Sequence, residues 1–167
     1  MKNNIKNISI VIPVLNEEKN IGSLIDEIII TLNNKIEYEI IVVDDGSSDR
    51  TTQNIKEKIK KNASIKLIAH KNNYGQSYSL RTGITHSNND YIVTLDGDGQ
   101  NDPSNILDLI NHYNNNIPFF LVIGNRRERN DTFARRVASR FAFFIRRILL
   151  NDNIPDTGCA LKVFKKK

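Results

Sequence analysis

Asp96 and Asp98 follow the apolar run Tyr91–Leu95 and are separated by one residue, within Asp96-Gly97-Asp98-Gly99-Gln100. In an extended segment, residues i and i+2 share a side. The two carboxylates can therefore converge on one ion, with Gln100 available as a third oxygen donor. Hard divalent cations such as Mg²⁺ and Mn²⁺ take oxygen ligands and commonly bridge to phosphates. Gly97 and Gly99 would let a phosphate or a sugar approach the backbone.

Other chemistries fit this stretch less well. A calcium loop counted from Asp96 needs Gly at the sixth place and Glu at the twelfth. Asn101 and Leu107 stand there instead. Aspartyl-phosphate phosphatases begin with a similar strand and Asp-x-Asp-Gly, but their metal-binding Asp pair comes later. Here the comparable pair, Asp44-Asp45, comes earlier. A plain Asp/Gly turn remains open on the motif alone.

The elements that must position these carboxylates alternate between strand and helix. Ile8–Pro13, Glu39–Val43, Ile65–Ala69, Tyr91–Leu95 and Phe119–Ile123 read as strands, with Leu161–Phe164 a short last one. Helices are expected over Asn16–Asn33, from an Asp49 cap to about Lys61, over Ser77–Thr85, from Asp102-Pro103-Ser104, and over Thr132–Leu150. Such alternation predicts an α/β fold, a mostly parallel sheet with helices on both faces. Ligands in such sheets bind beyond the carboxyl ends of the strands. Three polar clusters fall on that edge: Pro13–Glu17, Asp44–Asp49 and Asp96–Gln100. Their convergence favours a metal–diphosphate site over unrelated turns.

The bulk properties agree. The 167 residues suffice for one domain, 1–167, with no visible linker or repeat. A net charge of +5 suits phosphates or an anionic membrane, and no nucleic-acid module is visible. Cys159 is the single cysteine, which excludes an internal disulfide and fits a reducing, cytoplasmic compartment. No signal peptide is read at the N-terminus, and no apolar run reaches the roughly 18 residues of a spanning helix. His70, His86 and His112 share no spacing and receive no role.

The chain resembles family 2 glycosyltransferases with the GT-A (nucleotide-diphosphosugar transferase, Rossmann-like) fold. The resemblance rests on Ile10–Glu18, Ile41–Thr51, Asn72–Gln76, Leu80–Ile84 and Leu95–Pro103. Gly124–Arg127 and Asp156–Phe164 make it most similar to the dolichyl- and undecaprenyl-phosphate sugar transferases. The resemblance implies that Pro13, Leu15 and Glu17 line a nucleotide pocket, the Leu15 position being usually aromatic in the family. It implies base and ribose contacts from Val43 and Asp45. Asp96 and Asp98, with Gln100, would hold Mg²⁺ or Mn²⁺ on the donor diphosphate beside Gly97. Arg126 would meet a phosphate, and Asp156 would lie near the reacting sugar.

The implied reaction moves a hexose of the mannose or glucose type from a nucleotide-diphosphosugar to a polyprenyl phosphate, with inversion. Two alternatives stay open: a saccharide acceptor in cell-envelope polysaccharide synthesis, and a nucleotide-sugar-binding domain without turnover. The second arises because relatives normally continue beyond Phe164 with more sheet, more helix and often membrane spans. The expected helix over 132–150 sets Phe133, Val137, Phe141, Phe144, Ile145 and Ile148 against five arginines. That pattern suits either packing on the sheet or a membrane interface. A lipid-phosphate acceptor favours the interface, on the cytoplasmic face of the membrane.

Overall fold

The computed structural model describes residues 5–115, 121–124 and 158–166. The elements in order are β1 (Asn7–Val14), α1 (Ile21–Leu32), β2 (Glu37–Asp44), α2 (Thr51–Lys61), β3 (Ile65–Ala69), α3 (Gln76–Thr85), β4 (Tyr91–Thr94), α4 (Asn105–Asn115), β5 (Leu121–Ile123) and β6 (Lys162–Lys165). They form one six-stranded sheet in the order β3-β2-β1-β4-β6-β5. β1 to β4 pair in parallel, and β6 runs antiparallel between β4 and β5.

Strand alternation sorts the core. Ile8, Ile10, Ile12 and Val14 of β1 and Ile40 and Val42 of β2 join one cluster with Ile21, Leu24, Ile25 and Ile28 of α1. Ile55 of α2 and Ile106, Leu109 and Ile110 of α4 belong to the same cluster. The odd-numbered β1 and β2 residues face α3 on the other side. There Gly83 is obligatory, because a Cβ would collide with Val11 Cγ1 and lie 3.1 Å from Val43 Cγ2. Helices thus cover both faces, as the α/β pattern predicts.

Among the described residues the expected strands and helices appear, with shifted ends. The first helix begins at Ile21, not Asn16, because residues 16–18 are stitched to the loop after β2. Asn16 N–H donates to Ser47 Oγ, Glu17 N–H to Thr51 Oγ1 and Glu18 N–H to Asp49 Oδ2. Asn16 itself adopts φ 56°, which breaks helical continuity. The fourth helix starts at Asn105 because Asp102-Pro103-Ser104 forms a turn, with Ser104 N–H donating to Asp102 Oδ1. Asp49 stands one residue before the N-cap of α2, which is Arg50, and its Oδ1 accepts from Thr51 N–H. The expected helix over 132–150 lies outside the described residues.

At the amino end of the sheet, Glu39 is buried and holds three elements together. It accepts from Ser9 Oγ of β1 at 2.6 Å, Lys66 Nζ of β3 at 2.7 Å and Asn88 N–H before β4 at 2.6 Å. Burial alone would raise this carboxyl. Lys66, Ser9 and Asn88 outweigh that and hold it below its ordinary value of 4.5.

Candidate active site

The carboxyl ends of β1, β2 and β4 open into a cleft of about 460 Å³. Pro13, Leu15, Glu17, Asp45, Asp96, Gly97 and Asp98 all line it, joined by Asn73, Gly75 and Gln76 from the segment leading into α3. Three strand ends far apart in sequence therefore meet at one concave surface, where ligands bind in open α/β sheets.

The Asp96–Asp98 turn is seated directly on β1. Gly97 is buried, and a Cβ there would come within 2.5 Å of Val14 Cγ1 and 3.3 Å of Pro13 O. Only glycine lets both neighbouring aspartates stand at the floor of the cleft. Asp96 Oδ1 accepts from Gln76 Nε2 at 2.6 Å, and Asp98 Oδ1 accepts from Gln100 N–H at 2.9 Å. Gln100 is exposed and absent from the lining, so what it gives Asp98 is a backbone N–H.

These residues fit a divalent cation. Among the described residues no group of three or more His, Cys, Asp or Glu side chains could enclose a metal. The protein offers two carboxylates on one open face instead. Mg²⁺ is typically held this way, by one or two carboxylates with substrate phosphates and water completing its shell.

Asp44 and Asp45, adjacent in sequence, part company by alternation. Asp44 turns to α2, accepting from Ser47 N–H and Thr52 Oγ1. Asp45 turns to the α3 side, where its carboxylate accepts from His70 Nδ1 at 2.8 Å, Tyr74 N–H at 3.0 Å and Gly75 N–H at 2.7 Å. Burial alone would raise the Asp45 carboxyl. His70 and the two backbone N–H groups, helped by the nearby Ser79, hold it below its ordinary 3.8.

The pattern of family-wide sequence described as glycosyl transferase family 2 matches residues 9–167. The chain belongs to glycosyl transferase family 2. It is 29% identical over 161 residues to the dodecaprenyl-phosphate galacturonate synthase of Rhizobium johnstonii, covering 95% of this chain and 47% of that one. It is 33% identical over 166 residues to the undecaprenyl-phosphate 4-deoxy-4-formamido-L-arabinose transferase of Proteus mirabilis, covering 97% and 50%. The family 2 chain thus spans about half the length of the curated relatives it matches.

Solved structures share its fold at lower identity. The mannosyltransferase of Pyrobaculum calidifontis, complexed with GDP-mannose and Mn²⁺, superposes with a TM-score of 0.70 at 21% identity, covering 95% of this chain and 44% of that one. The glucosyl-3-phosphoglycerate synthase of Mycobacterium tuberculosis, complexed with Mn²⁺, UDP-glucose and phosphoglyceric acid, gives 0.75 at 21%, covering 96% and 57%. The GT-A architecture follows from these neighbours.

Not every residue singled out in the sequence reaches the cleft. Val43 is fully buried, paired with Pro13 across the sheet and packed toward Gly83 of α3, and it is not part of the lining. Arg126 and Asp156 lie outside the described residues. Cys159 is 2% exposed, a small packed side chain in the core. Conversely, His70 carries no motif yet sits on Asp45. Its signal was its place, directly after β3 on the ligand-binding edge.

Proposed function

We propose that the family 2 domain binds a nucleotide-diphosphosugar in this cleft and transfers its glycosyl unit to a polyprenyl phosphate. One observation carries the reading: the cleft brings the Asp96 and Asp98 carboxylates together with the Pro13–Glu17 and Asp45 strand ends. The similarity to two polyprenyl-phosphate sugar transferases supports the acceptor.

In this proposal Pro13, Leu15 and Glu17 bound the nucleoside end. Leu15 is 39% exposed at the cleft and offers apolar contact without ring stacking. Asp96 and Asp98 would hold Mg²⁺ or Mn²⁺ at the diphosphate end. The cation would supply Lewis-acid stabilisation of the charge on the departing nucleoside diphosphate. Asp96 is held for that task by Gln76, and Asp98 by the Gln100 N–H. The acceptor phosphate is already ionised near neutral pH, so attack on the anomeric carbon requires no strong base. In-line displacement predicts inversion. Arg126 meets a phosphate and Asp156 orients acceptor or sugar in this scheme. The donor sugar is a hexose of the mannose or glucose type or a modified sugar such as those in the relatives' names. The working place is the cytoplasmic face of a membrane, reached through the basic 132–150 segment. No helix among the described residues is long and apolar enough to cross a membrane.

The test is transfer of radiolabelled sugar by the 167-residue chain with Mn²⁺. Label passing into the organic phase only with undecaprenyl phosphate is the expected outcome. Label passing to a saccharide instead would move the protein to polysaccharide synthesis. Nucleotide binding with transfer to neither acceptor would make it a nucleotide-sugar-binding domain.

A further inference from the structure

We infer that His70 is a positioning residue for the nucleotide cleft: through Asp45 it fixes the segment that forms one wall. The inference rests on reading the cleft as a nucleotide site. His70 follows β3, with its side chain 9% exposed and both ring nitrogens engaged. Nδ1 lies 2.8 Å from Asp45 Oδ1, and Nε2 lies 3.2 Å from Thr82 Oγ1 of α3. An ionised carboxylate only accepts, so Nδ1 must carry a hydrogen. In the neutral ring, Thr82 then donates its hydroxyl hydrogen to Nε2. This tautomer is assigned from the network.

Asp45 uses its remaining capacity on the chain itself. A carboxylate has about four acceptor sites. His70 and the N–H groups of Tyr74 and Gly75 take most of them. The bonds pin Tyr74 and Gly75 at the mouth of α3. Gly75 and Gln76 line the cleft, and Gln76 reaches across to Asp96. A continuous run of contacts therefore joins Thr82, His70, Asp45, Gly75 and Gln76 to the carboxylate assigned to the metal. The rings of Tyr74 and Tyr78 each pack edge-on to His70 with centroids 5.4 Å away, holding the imidazole in place. Asp45 thus anchors this wall, oriented by His70.

The substitutions His70→Asn and His70→Gln separate this role from simple packing. Asn places an amide N–H where Nδ1 stands, whereas Gln places it at Nε2 and leaves Asp45 without that donor. Calorimetric titration with GDP and with UDP, each with MnCl₂, should find H70N within about twofold of the wild type and H70Q weakened about tenfold. Hydrogen exchange without nucleotide should show the Tyr74 and Gly75 amides protected in the wild type and H70N, and exposed in H70Q. Equal behaviour of the two variants, with the wild type binding, would overturn the inference alone. Failure of the wild type to bind either nucleotide would overturn the cleft reading and the inference with it.

Discussion

Asp96 and Asp98 do different local work despite their shared motif. Asp96 takes a side-chain amide from across the cleft, and Asp98 takes a backbone N–H from its own turn. Each still presents carboxylate oxygen to the cleft, as a cation bridging to a diphosphate requires. Asp98→Asn keeps the size and the Gln100 contact but removes the charge. We expect the Mn²⁺-dependent part of nucleoside diphosphate affinity to fall about 100-fold, with melting temperature nearly unchanged. Titrations with and without Mn²⁺ read this directly, and an unaltered metal increment would remove Asp98 from the site. Gly97→Ala acts differently. Its methyl would press on Val14 Cγ1, costing about 1–3 kcal/mol in denaturant unfolding and displacing both aspartates.

At the scale of elements, the site depends on how tightly β1, β2 and β4 are held in register. Glu39 does this at the end of the sheet opposite the cleft. Removing its carboxylate leaves Ser9, Lys66 and Asn88 without their shared acceptor. Glu39→Ala should cost about 2–4 kcal/mol, seen as a lower urea midpoint. The motifs at strand ends were legible in the sequence because apolar runs of the right length stop at polar clusters, and topology carries those clusters to one edge. The 16–20 segment was not, because its fate depends on hydrogen bonds to residues 47–51, some 31 or more positions away. The family resemblance implied that Val43 contacts the base or ribose. One residue inside the carboxyl end of β2, it is fully buried against Gly83 of α3. His70 carries no local motif: its place after β3 set it on the ligand-binding edge, but its contacts with Asp45 and Thr82 come from the fold.

At the scale of the whole molecule, the buried carboxylates set the acid limit. Glu39 and Asp45 are both depressed in the folded state from ordinary values of 4.5 and 3.8. Their contribution is complete above those unfolded values and is lost as pH falls through the lower folded ones. Melting temperature should therefore decline below about pH 4.5. The decline should be shallower in Glu39→Gln, and parallel curves for the two proteins would contradict the assignment. The same fold opens a cleft at its opposite edge, with the two cleft-facing aspartates, the β1 end and the Asp45-anchored wall around it. The most direct test is a thermal-shift titration of the 167-residue chain with UDP and GDP, with and without Mn²⁺. A hundredfold excess over Kd should raise the melting temperature by about 5–10 °C with Mn²⁺, and far less without it or in Asp98→Asn. A chain that melts at the same temperature with and without every nucleotide and metal combination would contradict the account.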